Sequence, residues 1–468
     1  LRGVDKTGVD HLFVVDRPTG VSVRALPAGP TPLELVASLP AGAVLLTGEW
    51  AGGGALIAMD PIAVVDDAVD PFAVFADGLD QPVLSAPPGS VGGGWFGWLG
   101  FAADGSVARP VRPVRLPSSH LAFYPNVLRY QASTGQWFDE ALVGVVPPVE
   151  LEARRQALLA VLSAGPTGVV TPPQREHPLG PFRTLTGQRD YEASVQACIE
   201  HIGAGNIYQA NICLALEADV RGDPAEGATV LTRRLLGRLA PPFGAYLPTD
   251  RGAVISASPE LFLRRTGRRV LSSPIKGTRP RPSDLATANY EADRLLASGK
   301  DRAENVMIVD MVRNDLARVA ETGSVQVSDL LRLEAHPGVW HLVSDIVATL
   351  CTGADDADLL RASFPPGSVT GTPKVRARQI IDDLEPEARG VYTGAIGYQS
   401  PVFGLELSVA IRTLELADST VRLGVGAGIT AGSVSTEEWW ECFDKARPIA
   451  DAIGSPIRVS GSERPAVD

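Results

Sequence analysis

Two pairs of carboxylates have the spacing of a metal site. Asp301 and Glu304 are three apart in "KDRAENVMIVDMVRNDLARVA", and Glu438 and Glu441 are three apart in "SVSTEEWWECFDKARPIADAIG". In a helix, that spacing puts both carboxylates of a pair on one face. Two such faces opposed make an oxygen-rich site, which suits Mg2+ better than zinc. The same spacing suits a solvated helix face, and Glu438 stands where it would close a capping box with Ser435.

The basic residues form a second group. The chain has five lysines against 37 arginines, so each lysine asks for a reason. Lys276, Arg279 and Arg281 cluster around the turn in "LSSPIKGTRPRPS". Lys374, Arg376 and Arg378 follow "GSVTGTP", which resembles an anion site at a helix N-terminus but lacks P-loop spacing. Arg412 lies in a strand-like run, and "GVGAGIT" (424–430) offers backbone N–H groups that could hold a carboxylate. His341, in "GVWHLVSDI", reads from sequence as a packed core residue.

Composition narrows the partners. A net charge of −12 disfavours nucleic acid, so any anion must meet locally concentrated positive charge. No run of about 18 apolar residues is present, so no membrane span is expected. The N-terminal stretch lacks a signal-peptide layout, and the four cysteines form no metal-type spacing. A cytoplasmic protein is expected. No G-x-S-x-G or G-x-C-x-G nucleophile setting occurs.

Several elements must position these groups. Residues 8–150 carry short apolar runs between Gly- and Pro-rich turns, read as strands, with "LELVASLP" as a helix candidate. A helix is expected over 149–165, then a Pro/Gly-rich linker, so 151–182 is assigned to helix and linker. Residues 183–454 alternate helices and strands and form the expected catalytic domain, with a loose tail at 455–468. "FGLELSVAIRTLEL" alternates as one strand with "TVRLGVGAGIT" as its neighbour. Ser435 is the expected N-cap of the last helix and Gly454 its stop. Strands that do not alternate one-for-one with helices favour an α+β body with antiparallel sheets.

Ten ordered stretches resemble the chorismate-utilising enzymes, the family of anthranilate synthase component I. They are "GNIYQANI" (205–212), "SASPELFL" (256–263), "SPIKGTRPR" (273–281), "KDRAENVMIVDMVRNDLARV" (300–319), "VWHLVSDI" (339–346), "FPPGSVTGTPKVRARQIID" (364–382), "YTGAIGY" (392–398), "SVAIRTL" (408–414), "GAGIT" (426–430) and "ECFDKAR" (441–447). The N-terminal region matches chiefly through "GGGWFGWLGF" (92–101). The resemblance implies two antiparallel β-sheets forming a large sandwich wrapped by helices. It implies that Glu304 and Glu441 are the main Mg2+ ligands, with Asp301 and Glu438 in support. Thr278, Thr370, Tyr392, Arg412 and Lys445 are then substrate contacts, with N–H donors from Gly426, Ala427 and Gly428. Glu260 matches the general acid for departure of the ring C4 hydroxyl, and His341 matches a histidine near that hydroxyl.

Two positions choose among the family's reactions. Members that add water carry a lysine base where this chain has Gln209, and members with glutamine there use ammonia. Members that aminate C2 resemble "PIAGT" at 274–278; those that aminate C4 resemble the "PIKGT" found here. The resemblance implies that Lys276, with its pKa lowered by desolvation near Arg279, attacks ring C2 and is displaced when ammonia attacks C4. C4 amination of chorismate, towards p-aminobenzoate and folate, is therefore expected, with C2 amination, towards tryptophan, as the alternative. Ammonia would come from a separate glutamine amidotransferase subunit.

Overall fold

The computed structural model describes residues 15–68, 70–76, 84–105, 114–164 and 178–459. Most of the expected linker, the start of the N-terminal region and the end of the tail lie outside the described residues.

Two large sheets form the body, one of 13 strands and one of 10. Among the described residues every strand pair is antiparallel except Ile457–Arg458 against Phe182–Thr184. That short pairing, with Ser455 Oγ donating to the Gly180 carbonyl at 2.7 Å, holds the first residues of the expected loose tail in place. Both sheets take strands from both ends of the chain. Val44–Gly48 pairs with Phe243–Thr249 in the first sheet, and Gly94–Leu99 with Ala395–Ser400 in the second. The sheets face each other across an aromatic layer that includes Trp50, Phe96, Trp98, Phe243 and Tyr398. Trp50 is 1% exposed, meets Phe243 edge-on at 5.0 Å, and donates its indole N–H to the Gly244 carbonyl at 2.9 Å. An indole so placed buries its apolar area without stranding its one donor.

Helices cover the outer faces. Gln188–Gly203, Pro224–Leu239 and Ser435–Ile453 pack on the first sheet, and Gly299–Ala317 and Asp356–Ser363 on the second. The helix expected over 149–165 runs Pro148–Ala164. "LELVASLP" yields only Pro32–Leu35 and a 3-10 turn, Val36–Ser38. The last helix stops at Gly454 (φ 76°), as its left-handed geometry favours. Its N-cap is Val434, and Ser435 is the first helical residue.

One expected strand is two. Gly404–Val409 belongs to the second sheet and Thr413–Ala417 to the first. Residues 410–412 cross between the sheets, turning at Arg412 with φ 51°. Alternation continues through the crossing, so a period-2 pattern cannot reveal it. The Thr413–Ala417 strand does pair with Thr420–Ile429, as the sequence suggested. A second crossing lies alongside, where Gly252–Ser258 of the first sheet passes to Leu261–Thr266 of the second. Backbone bonds from Val409 N to Glu260 O and from Ala257 N to Arg412 O, each 3.0 Å, tie the crossings together.

Candidate active site

The crossings put Glu260 and Arg412 at the seam between the sheets, and the remaining candidates gather around it. Gln209 opens the Gln209–Asp219 strand, which pairs along Thr420–Ile429, so Asn211 lies opposite Gly428. Lys276 lies in the edge strand Ile275–Pro280 of the second sheet. A β-carbon built on Gly428 would come within 3.1 Å of both Lys276 Nζ and Gln209 Nε2, and 3.8 Å from Glu304 Oε2. Three chemically distinct groups therefore converge over one glycine, whose missing side chain leaves them room.

Three polar atoms at this seam are buried without a hydrogen-bond partner among the described residues. They are Gln209 Oε1, His341 Nε2 and Glu438 Oε2. Buried polar atoms are normally paired, so a cluster of unpaired ones marks a surface complementary to a polar ligand. Arg412 adds an uncommitted cation: it forms no ion pair among the described residues, and its pKa is lowered by burial.

Electrostatics divide the acids and bases. Burial pushes the Glu260 carboxyl up to about 7, against a 2.5 Å hydrogen bond donated by Ser368 Oγ and the nearby Lys276 charge. A carboxyl so shifted is about half protonated at neutral pH and can donate that proton. Burial also holds Lys276 below the ordinary lysine range; Glu304 opposes this and Lys445 reinforces it. The expected role of Arg279 in lowering Lys276 is not what the structure shows. Arg279 is paired with Asp301 at 2.8 Å, and Lys445 is the cation that acts on Lys276. His341 is held well below the usual imidazole range by burial, then by Arg412 and His336, so it is neutral. Its Nδ1 meets Thr278 Oγ1 at 2.9 Å, which leaves Nε2 facing the seam.

The carboxylate pairs sit on the two helices expected for them. Glu304, mostly buried, is raised by burial and by the neighbouring Asp301 and Glu441, with Lys276 and Lys300 opposing. Glu438 is raised by burial and by Glu441, against a hydrogen bond to Ser433. Glu441 and Lys445 form a 2.8 Å ion pair, and Lys445 also donates to the Gly426 carbonyl at 2.8 Å. Both keep nearly half of their side-chain surface in solvent. Oxygen-only donors, two of them (Glu304 and Glu438) raised in part by a neighbouring carboxylate and one with an orphaned oxygen, fit a hard divalent cation. Among the described residues no three metal-binding side chains enclose an ion unaided, so water and substrate oxygens would complete its shell.

Other expected residues are placed differently. Thr370 donates its hydroxyl to the Pro366 carbonyl at 2.6 Å and braces its own loop. Tyr392 is buried against Gly424, where any β-carbon would strike its ring. The 374–378 cations do not form an anion site. Lys374 is paired with Asp315, Arg378 with Asp104, and Arg376 bonds Gln379. Two residues went unassigned in the sequence reading. Ser368 bonds Glu260, and Asn305 donates to the Leu342 carbonyl at 3.1 Å while accepting from Ser344 at 2.6 Å. Ser368 lies inside "FPPGSVTGTPK", and Asn305 directly follows Glu304, so position alone could have drawn attention to both.

The chorismate binding enzyme family matches residues 60–451 of the chain. Aminodeoxychorismate synthase component 1 of Klebsiella aerogenes is 40% identical over 274 residues, covering 58% of this chain and 60% of that protein. The chain thus spans about three fifths of that relative's length. Anthranilate synthase component 1 of Streptomyces coelicolor is 33% identical over 415 residues, covering 84% and 79%. Among solved structures, anthranilate synthase component I from Streptococcus pneumoniae TIGR4 superposes with a TM-score of 0.71 at 25% identity, covering 95% of each chain.

Proposed function

The chain belongs to the chorismate binding enzyme family, and from that premise we propose that it aminates chorismate at ring C4, giving 4-amino-4-deoxychorismate. The observation that carries this reading is Lys276. Its amine is desolvated, free of hydrogen bonds among the described residues, and converges with Gln209 over Gly428. Desolvation favours the neutral amine, which is the form that attacks carbon. Gln209 cannot remove a proton from water at neutral pH, which favours ammonia, already a nucleophile, as the second reactant.

Lys276 Nζ forms a bond to ring C2 as both conjugated ring double bonds shift by one position and the C4–oxygen bond breaks. Glu260 gives its proton to the departing hydroxyl, which leaves as water. Ammonia then bonds to C4, both double bonds shift back, and the C2–lysine bond breaks. His341, neutral and directed by Thr278, orients the C4 hydroxyl. Arg412, Lys445 and the N–H groups at 426–428 hold the substrate carboxylates. Glu304 and Glu441, supported by Asp301 and Glu438, would hold Mg2+. When bound, that ion supplies positive charge at the ring carboxylate.

Relatives named component 1 support a second component, a glutamine amidotransferase that feeds ammonia to this site. The product would serve p-aminobenzoate and folate synthesis in the cytoplasm. No described helix is long and apolar enough to cross a membrane. The test is to incubate the chain with chorismate, Mg2+ and an ammonium salt and to chromatograph the product. Aminodeoxychorismate supports the reading. Anthranilate as the main product would replace it with C2 amination and would match the name of the Streptomyces coelicolor relative, anthranilate synthase component 1.

A further inference from the structure

Glu260 has a second environment, away from Lys276. Glu260, 3% exposed, lines a small cavity of about 10 Å3, also bounded by Ser363, Ser368, Val312 and Asp315. A space of that size, with Glu260, Ser368 and Asp315 in an otherwise largely apolar wall, has room for one water molecule. Asp315 also borders an open cleft of about 790 Å3, which Lys374 and Asn314 help to line. Asp315 therefore stands between the buried acid and bulk solvent. It accepts a 2.6 Å bond from Lys374 Nζ, which places a second proton carrier beside it.

We propose that Ser368, one enclosed water and the Asp315–Lys374 pair form a proton relay that reloads Glu260 from the open cleft after each turnover. This rests on the reading of Glu260 as the general acid. When the C4 hydroxyl leaves as water, Glu260 is left as a carboxylate. It takes a proton from the enclosed water, with Ser368 Oγ holding Oε1 in position. That water takes one from the Asp315 carboxyl or the Lys374 ammonium, which recovers one from solvent in the cleft. One proton moves inward and no electron pair is transferred to an outside acceptor. Burial raises Asp315 and lowers Lys374, so both sit closer to neutral pH than in water, as proton carriers must. The path leaves the substrate chamber closed while the acid is restored.

The relay separates the first turnover from later ones. Asp315→Asn interrupts the path, and Val312→Ile adds a methylene to the cavity wall while leaving the Asp315–Lys374 pair intact. The chain is assayed with chorismate and ammonium, once with enzyme in excess and once at steady state, in water and in deuterium oxide. Both variants are expected to keep the single-turnover rate within about twofold and to lose on the order of tenfold in kcat. The solvent isotope effect on kcat should rise with that loss. Unchanged kcat in both variants would overturn the relay and leave incoming ammonia as the proton source. Parallel loss of single-turnover rate and kcat would overturn it too, making the residues structural. Glu260→Gln is the control: if its single-turnover rate matches the unmodified chain, the acid role itself falls, and the relay with it.

Discussion

Lys276 and Lys374 are both lysines beside a Gly-Thr turn, "IKGT" and "GTPK", and burial lowers the pKa of both. Their surroundings differ in what holds the ammonium. Lys374 donates to Asp315 Oδ2 and to the Ser363 carbonyl, each at 2.6 Å, and so straps the 364–374 loop to the Gly299–Ala317 helix. Lys276 has no such partner among the described residues and points over Gly428 beside Gln209. Desolvation alone therefore does not make a nucleophile. The amine must also be free of a strong acceptor, and the bare α-carbon of Gly428 provides that freedom.

The largest effect should come from Lys276→Met. C4 amination should fall by at least about 10²-fold, because the displacement loses its attacking atom. Chromatography of the chorismate and ammonium reaction reads this, and the melting curve should stay near that of the unmodified chain. Lys374→Met should do the reverse to stability. It strands the buried Asp315 carboxylate, and breaking one side of a buried pair costs about 3–5 kcal/mol. Urea unfolding should register that loss, while the product formed stays the same. If Lys276→Met unfolds the protein as readily as Lys374→Met, the two lysines are both struts and the distinction collapses.

A smaller change sharpens the same contrast. Gly428→Ala places a methyl 3.1 Å from Lys276 Nζ and Gln209 Nε2. Both are ends of flexible side chains, so the fold should survive while the amine is pushed off line. Misplacement of that kind should lower kcat/KM on the order of tenfold, with no loss in unfolding free energy. An unchanged kcat/KM would mean that Lys276 does not work over Gly428.

How much of this was legible in the sequence follows from the kind of signal each residue left. Helical spacing located Glu304 and Glu441, because period and caps are local properties. The Gly454 stop was legible for the same reason. The crossing at Ala410–Arg412 was not, because alternation persists while the chain changes sheet. The split between Lys276 and Lys374 was equally hidden. It depends on Asp315, 59 residues from Lys374, and on Gly428 in another sheet. Arg279, near Lys276 in sequence, drew attention that belongs to Lys445, which reaches the site from the last helix. Ser368 was quoted within a motif yet left without a role, since a serine shows its partner only in three dimensions.

The smallest effect concerns the carboxyls that accompany the two lysines. Glu260 beside Lys276 is pushed up to about 7 from 4.5, while Asp315 is raised but opposed by its bond to Lys374. A carboxyl raised on folding keeps its proton in the native state at pH values where the unfolded chain has released it. Its contribution to stability is therefore complete below about pH 4.5 and is lost as pH rises through about 7. Lys276 and the Ser368 hydroxyl face Glu260 and act in the opposite direction, which limits the size of the effect. Glutamine cannot titrate, so Glu260→Gln removes this slope without adding another. Urea unfolding of both proteins at half-unit steps from pH 4.5 to 8 should show the unmodified chain losing stability relative to the variant up to about pH 7, then levelling. A flat difference across that range would mean that Glu260 is ionised in the native protein, and a carboxylate there could not protonate a leaving hydroxyl.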